Sequence, residues 1–388
     1  MFKAGCVLSF SLLLMIGGQM VGSAAEVGRK QTGVKGLLVM DLGNGEYAGT
    51  ASQMNATVIK KPSLESLEVA FNQDVGELMS KATKEVVKFI NVRHDEVPVG
   101  YRVEFAFADQ YSPKDGPSAA VATALMLESI ITGVELADDF AVTGDMNATG
   151  AVRPVGGVMS KVRGASKKCK VVAIPEANVS AIRDAYIIEG PSYLSAIQIF
   201  SIKNFDQAYA LAGERGLETE KAIADFSAVQ KALRKNPKYV YNGKVKAKLK
   251  EVLDVMPNHV SAKLLLQHGM KQGPKKLSLS GSIVAIDSAA VDFSKMLKNQ
   301  QFVESGGSGD VLFSLISDLR KLKHKVDPRT REYCDSYIDL AEHVKLVRGK
   351  KVWTPQNERE LRAAIREMTS ARDELLKDRA VREELMED

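Results

Sequence analysis

Histidine and cysteine are scarce in this chain. Its 388 residues include five histidines, three cysteines and one tryptophan. No cysteine and histidine fall at the spacing of a zinc site, so neither a metal nor a cofactor is expected. Beyond Cys6, only Cys169 and Cys334 remain, in separate regions, which gives little basis for a disulfide framework. A catalytic histidine would have to be His94, His259, His268, His324 or His343. Arg93-His94-Asp95-Glu96 reads as a solvated loop, so a Ser-His-Asp triad stays open only through a histidine folded back from the C-terminal region. The phosphate-cradling pattern G-x-x-x-x-G-K-[S/T] does not occur, which excludes a nucleotide-hydrolysing module of that kind within this sequence. The formal charge of +5 is not gathered into a dense basic patch, so no nucleic-acid partner is expected.

Long apolar runs are also rare, and the one that exists is N-terminal. Lys3 precedes an almost unbroken apolar stretch, Cys6 to Ile16, followed by Gly22-Ser23-Ala24-Ala25. A basic start, an apolar run shorter than a bilayer-spanning helix and small residues at a cleavage point are the pattern of a secretory signal. Residues 1–25 are therefore expected to be a signal peptide, with the mature protein periplasmic or secreted and beginning near Glu26. The alternative is an uncleaved anchor holding the protein to a membrane through this segment. The apolar run follows Cys6, which is the wrong order for a lipid-attachment cysteine.

The chemistry concentrates in Pro113-Lys114-Asp115-Gly116-Pro117-Ser118. Asp-Gly-Pro is a turn signal, because glycine permits unusual φ and proline fixes it. The Ala-, Leu-, Met- and Ile-rich segment from Ala119 to Gly133 reads as a buried helix. Ser118 would stand at its start, where free N–H groups and the helix dipole favour a developing negative charge. A serine nucleophile needs a base. Lys161 lies in apolar company, after Val155-Gly156-Gly157-Val158-Met159-Ser160 and before Val162. A lone lysine on a helix is ordinarily a surface group. To act as a base near neutrality its pKa must fall by about 3 units, which burial can produce.

These pieces resemble the proteolytic domain of Lon proteases, over roughly residues 34–213. Pro113 to Ala120 matches that family's nucleophile turn, and its helix ends at Thr132-Gly133. Val142-Thr143-Gly144-Asp145 matches a strand followed by Thr-Gly-Glu, with Asp145 in place of the usual Glu. Gly150, Pro154, Gly156 and Gly157 match the hairpin and double glycine, and Lys161 follows four residues after the second glycine. Val171 to Glu176 matches a strand ending in Ile-Pro-Glu. The strand Val103 to Phe107 lacks the family's usual histidines. The resemblance implies a Ser–Lys dyad of Ser118 and Lys161. It implies that Thr143 orients the lysine amine, that Asp115 borders the nucleophile turn and that the protein forms a hexameric ring. Without a phosphate loop, cleavage is expected to be ATP-independent and to act on peptides or unfolded proteins.

Two domains are expected. The first, residues 30–213, is an α/β (α+β) domain of Lon protease type. Gly36 to Asp41, Tyr47 to Ala51, Ala56 to Lys60 and Tyr101 to Ala108 read as strands, and Leu64 to Ile90 contains a helix. From about Gly216 strand signals fade and Lys/Glu-rich helical periodicity takes over, so 216–388 is expected to be an all-α domain. Within it, a helix–Pro257-Asn258–helix unit looks like one tetratricopeptide-type hairpin. Ser305 to Gly309 reads as a linker, and Thr354-Pro355 as a helix cap. Two functions follow: a serine endopeptidase acting through Ser118 and Lys161, or a non-catalytic Lon-like scaffold that binds a partner through its helical region.

Overall fold

A computed structural model describes residues 26–41, 47–108, 115–298, 308–348 and 354–387. The expected signal segment and positions 305–307 of the expected linker lie outside them, whereas Ser308 and Gly309, also read as linker, open a helix. Among the described residues there are nine strands: β1 Gln31–Asp41, β2 Tyr47–Lys60, β3 Glu68–Phe71, β4 Tyr101–Phe107, β5 Phe140–Val142, β6 Asp145–Met146, β7 Val152–Arg153, β8 Val171–Pro175 and β9 Gln198–Ile202. The helices of the first half are α1 Glu77–Arg93, α2 Ala120–Thr132, α3 Val158–Ala165, α4 Val179–Glu189, α5 Pro191–Ala196 and α6 Phe205–Ala212. They are followed by α7 Leu217–Lys235, α8 Gly243–Val255, α9 Val260–Gly269, α10 Leu279–Ala289, α11 Val291–Lys298, α12 Ser308–Leu322, α13 Arg331–Arg348, α14 Pro355–Lys377 and α15 Arg379–Glu387.

Seven strands form one mixed sheet in the order β3-β4-β2-β1-β5-β8-β9. The long β1–β2 hairpin and the β2–β4 pair are antiparallel, while β1, β5, β8 and β9 run parallel. Of these, β5, β8 and β9 are buried on both faces and read as nearly continuous apolar runs. Their side chains still alternate. Val171, Ala173, Phe200 and Ile202 join a core with α1, α2 and α6 on one face. Val172, Ile174, Ile197 and Ile199 join a second core with α3, α4 and α5 on the other.

That second core does not stop at Gly213. Ala222, Phe226, Val229 and Leu233 of α7, Leu249 and Val252 of α8, and Val260, Leu264 and Leu265 of α9 belong to it. Polar bonds bind the same helices to β9. Ser201 N–H donates to the Asn258 carbonyl (3.0 Å), Ile199 N–H to Ser261 Oγ (3.0 Å), and Gln198 Nε2 to the Ile223 carbonyl (3.0 Å). Phe200 and His259 make an antiparallel bridge, so the α8–α9 turn covers the edge of the sheet. The hairpin around Pro257-Asn258 is thus a layer of the α/β body. The separate helical core begins later, gathering residues from Leu277 to Val381. The division of packing falls near residues 270–277, not at the expected 213–216.

The helical unit meets the body through a capped helix end. Asp184 of α4, buried, accepts from Ser278 N–H (2.8 Å) and Ser278 Oγ (2.5 Å) at the N-terminus of α10. Thr354 caps α14 by accepting from Asn357 N–H, with Pro355 in the first turn. Cys169 and Cys334 are both free and buried, in different cores.

Candidate active site

Ser118 sits in a single 3₁₀ turn, Pro117–Ala119, that runs directly into α2. The turn is entered through Gly116 at φ 108°, a backbone state that side chains disfavour. α2 is buried over eleven residues, Ala120 to Ile130, so it is anchored on all sides and holds the serine at its exposed start. Neither the turn nor α2 carries a side-chain cap at its N-terminus. Ser118 itself is half-buried.

Asp115 fixes this turn from the outside. Its Oδ1 accepts from Gly116 N–H (2.7 Å) and from Leu78 and Met79 N–H (3.1 and 3.3 Å) in the first turn of α1. It therefore caps a helix whose own N-cap, Gly76, has no side chain. A Cβ on Gly76 would lie 2.0 Å from the Asp115 carboxyl carbon, so the close approach requires glycine there.

Thr143 follows β5 and is fully buried. Its hydroxyl donates to the Ser118 carbonyl (3.3 Å) and accepts from Lys161 Nζ (3.4 Å). Gly144 N–H also donates to the Ser118 carbonyl (3.0 Å), and Val121 N–H to the Gly144 carbonyl (3.2 Å). One hydroxyl thus joins the two residues that the sequence pairs.

Lys161 is 3% exposed. Among the described residues no carboxylate pairs with it, and burial pushes its pKa from 10.5 to about 8. Its position follows from α3. At Gly49 of β2, a Cβ would lie 1.8 Å from the Ser160 carbonyl oxygen, and a Cβ on Gly164 would lie 2.0 Å from that of Gly49. Helix and strand touch backbone to backbone because both residues lack side chains. The loop into α3 is clamped by Asn178, whose Oδ1 accepts from Val155 N–H (2.9 Å) and whose Nδ2 donates to the Val155 carbonyl (3.1 Å). Buried Tyr193 donates to the Met159 carbonyl (3.0 Å). None of Gly49, Gly164, Asn178 or Tyr193 stands out in the sequence; the only trace is Asn178 three residues past Ile174-Pro175.

The histidines lie elsewhere. His94 bonds the buried Glu128 (2.8 Å), which Arg93 also holds (3.1 Å). Glu128 is ten residues beyond Ser118, about 15 Å along the helix at 1.5 Å per residue. His259 is enclosed between Phe200 and Phe226, and burial drives its pKa to about 3. His268 lies between the Tyr186 and Tyr241 hydroxyls. His324 and His343 belong to the helical unit. No hydrogen bond of a described histidine reaches Ser118, and among the described residues no cluster of His, Cys, Asp and Glu is arranged to hold a metal.

This α/β domain thus brings the backbone of a helix-start serine and a buried lysine with no carboxylate partner onto one threonine hydroxyl. Residues 39–212, just under half of the chain, match the model of the Lon protease (S16) C-terminal proteolytic domain, so this part of the chain is a domain of the Lon protease family. It is 27% identical over 199 residues to an archaeal Lon protease of Thermococcus kodakarensis, a match covering 51% of this chain and 29% of that protein. It is 27% identical over 178 residues to Lon protease 1 of Herpetosiphon aurantiacus (43% and 20% of the two chains). To the Lon protease of Rickettsia conorii it is 33% identical over 141 residues (34% and 16%). The match spans less than a third of each relative's length.

Proposed function

We propose that this protein is a serine peptidase in which Ser118 is the nucleophile and Lys161 the general base. The observation that carries this is the Lys161–Thr143–Ser118 link around a lysine whose pKa burial has brought to about 8. Neutral Lys161 takes the hydroxyl proton as Ser118 Oγ bonds to the peptide carbonyl carbon. The oxyanion that forms is assigned to backbone N–H groups of the Pro117–Ala119 turn, since those of Ala120 and Val121 already bond the Pro117 and Gly144 carbonyls. The ammonium then gives its proton to the leaving amine as the C–N bond breaks. Water, deprotonated by Lys161 in turn, releases the acyl group from Ser118. Thr143 holds the amine, and Asp115 holds the serine turn.

The chain has no phosphate loop, so cleavage of flexible peptides by this chain should not require ATP. The export reading of residues 1–25 places such substrates outside the cytoplasm. Among the described residues no helix is long and apolar enough to cross a membrane. The test is cleavage of an unstructured protein, with and without ATP and magnesium, by the purified wild type, Ser118→Ala and Lys161→Ala. Both variants should be inactive, and nucleotide should leave the wild-type rate unchanged. Turnover by Ser118→Ala would overturn the mechanism.

A further inference from the structure

The helix–Pro257-Asn258–helix hairpin caps the edge of β9, and it also creates a concavity there. A groove of about 590 Å³ runs between the hairpin and the C-terminal ends of β8 and β9. We propose that this groove binds acidic segments of polypeptide.

Its charge is one-sided. Arg183 of α4, Lys203 just past β9 and Lys263 of α9 line it, against a single carboxylate, Glu176. Glu176 is engaged by Lys203 at 3.3 Å, whereas Arg183 and Lys263 make no ion pair among the described residues. α4 begins at the groove wall without a side-chain cap, because its N-cap Asn178 has both ends of its amide bonded to Val155. The positive end of that dipole adds to the two free cations.

The remaining lining selects a peptide over other polyanions. Gln267 and Gln272 offer carboxamides able to donate to and accept from a peptide backbone, and Gln207, whose Oε1 accepts from Lys203 N–H (2.7 Å), offers its Nε2 as a donor. No aromatic ring lines the groove, so it lacks the stacking platform that single-stranded nucleic acid uses. Glu176 connects the groove to the turn of the proposed catalytic serine: Pro175, next to it, lies against Gly144, whose N–H donates to the Ser118 carbonyl. An acidic stretch held here would recruit the chain that carries it to the peptidase. That role in substrate choice rests on the peptidase reading; the binding itself does not.

The test uses the full chain carrying Ser118→Ala, so that nothing is cut. Fluorescence anisotropy compares a labelled glutamate-rich peptide with glutamine-rich and lysine-rich peptides of equal length. The glutamate peptide should bind roughly tenfold or more tightly than the others at low salt, with the difference shrinking as salt rises. Adding Arg183→Glu and Lys263→Glu together should weaken it by roughly tenfold or more. Arg183→Gln with Lys263→Gln, a milder pair of surface changes, should give a smaller loss in the same direction. Equal binding of all three peptides, or unchanged binding in both double variants, would overturn the proposal. A uridine oligonucleotide that displaces the glutamate peptide at lower concentration than unlabelled peptide would overturn the ligand class. Failure here leaves the Ser118 mechanism intact, and an inactive wild type leaves the groove intact.

Discussion

In the proposed mechanism Lys161 sets the pH behaviour of the site. Its pKa of about 8 in the fold, against 10.5 for an exposed lysine, means that the buried ammonium is disfavoured by about 3 kcal/mol. Below pH 8 that cost is present in full. Between pH 8 and 10.5 unfolding takes up a proton, so stability rises with pH across that window. Two outcomes follow. The rate of Ser118 acylation by a covalent serine reagent should climb with pH to a plateau, with an apparent pKa near 8. Lys161→Met should be inactive yet more stable at neutral pH, by up to about 3 kcal/mol in urea titration, with the advantage vanishing in alkaline buffer. Thr143→Val removes the hydroxyl that joins the dyad and should slow cleavage by roughly tenfold or more, while Thr143→Ser restores most of the rate. Ser118, Lys161, Thr143 and Asp115 stand out in the sequence because each lies in a short segment with its own signature. Asp115, Gly116 and Pro117 mark a turn, and Gly156-Gly157 marks a helix start.

At the scale of elements, the question is how α3 comes to present a lysine at that depth. The answer was not legible, because it depends on approaches between segments far apart in the chain. Gly49 and Gly164 look like ordinary glycines until a strand and a helix touch through them. Asn178 looks like a helix cap, yet it stands in for a strand partner of Val155. Asn178→Leu would leave the Val155 N–H and C=O without those partners and should cost about 2–4 kcal/mol. Because Val155 precedes α3, the same change should lower kcat more than it raises KM. A purely structural Asn178 would lower stability and leave kcat per folded molecule untouched. Gly164→Ala should be at least as damaging, since a methyl group there meets the β2 backbone. Solubility and activity assays beside wild type check both.

For the whole molecule, composition misled where packing decides. The shift to Lys- and Glu-rich helices after Gly216 reads as a new domain. The exposed faces of α7–α9 do carry those charges, but their buried faces complete the core beneath β8 and β9. A chain ending at Gly213 should therefore fail to fold in soluble form, whereas one ending near Gly273 should fold and still cleave a short peptide. Circular dichroism and a peptidase assay on the two truncations would decide, and a soluble, active 26–213 fragment would show that α7–α9 are dispensable.

The covered edge of β9 also sets a schedule for biosynthesis. The chain leaves the ribosome N-terminus first, so β9 is complete well before Asn258, His259 and Ser261 arrive to occupy its free side. The residues between Ile202 and Ser261 take about 3–12 s to make at the usual elongation rates of about 5–20 residues per second. Throughout that interval β9, paired with β8 on one side only, leaves its other edge open around Ile199 and Phe200, a ready template for pairing with another chain. The growing polypeptide is thus most in need of a chaperone after its proposed catalytic residues have all been made and before its sheet is closed.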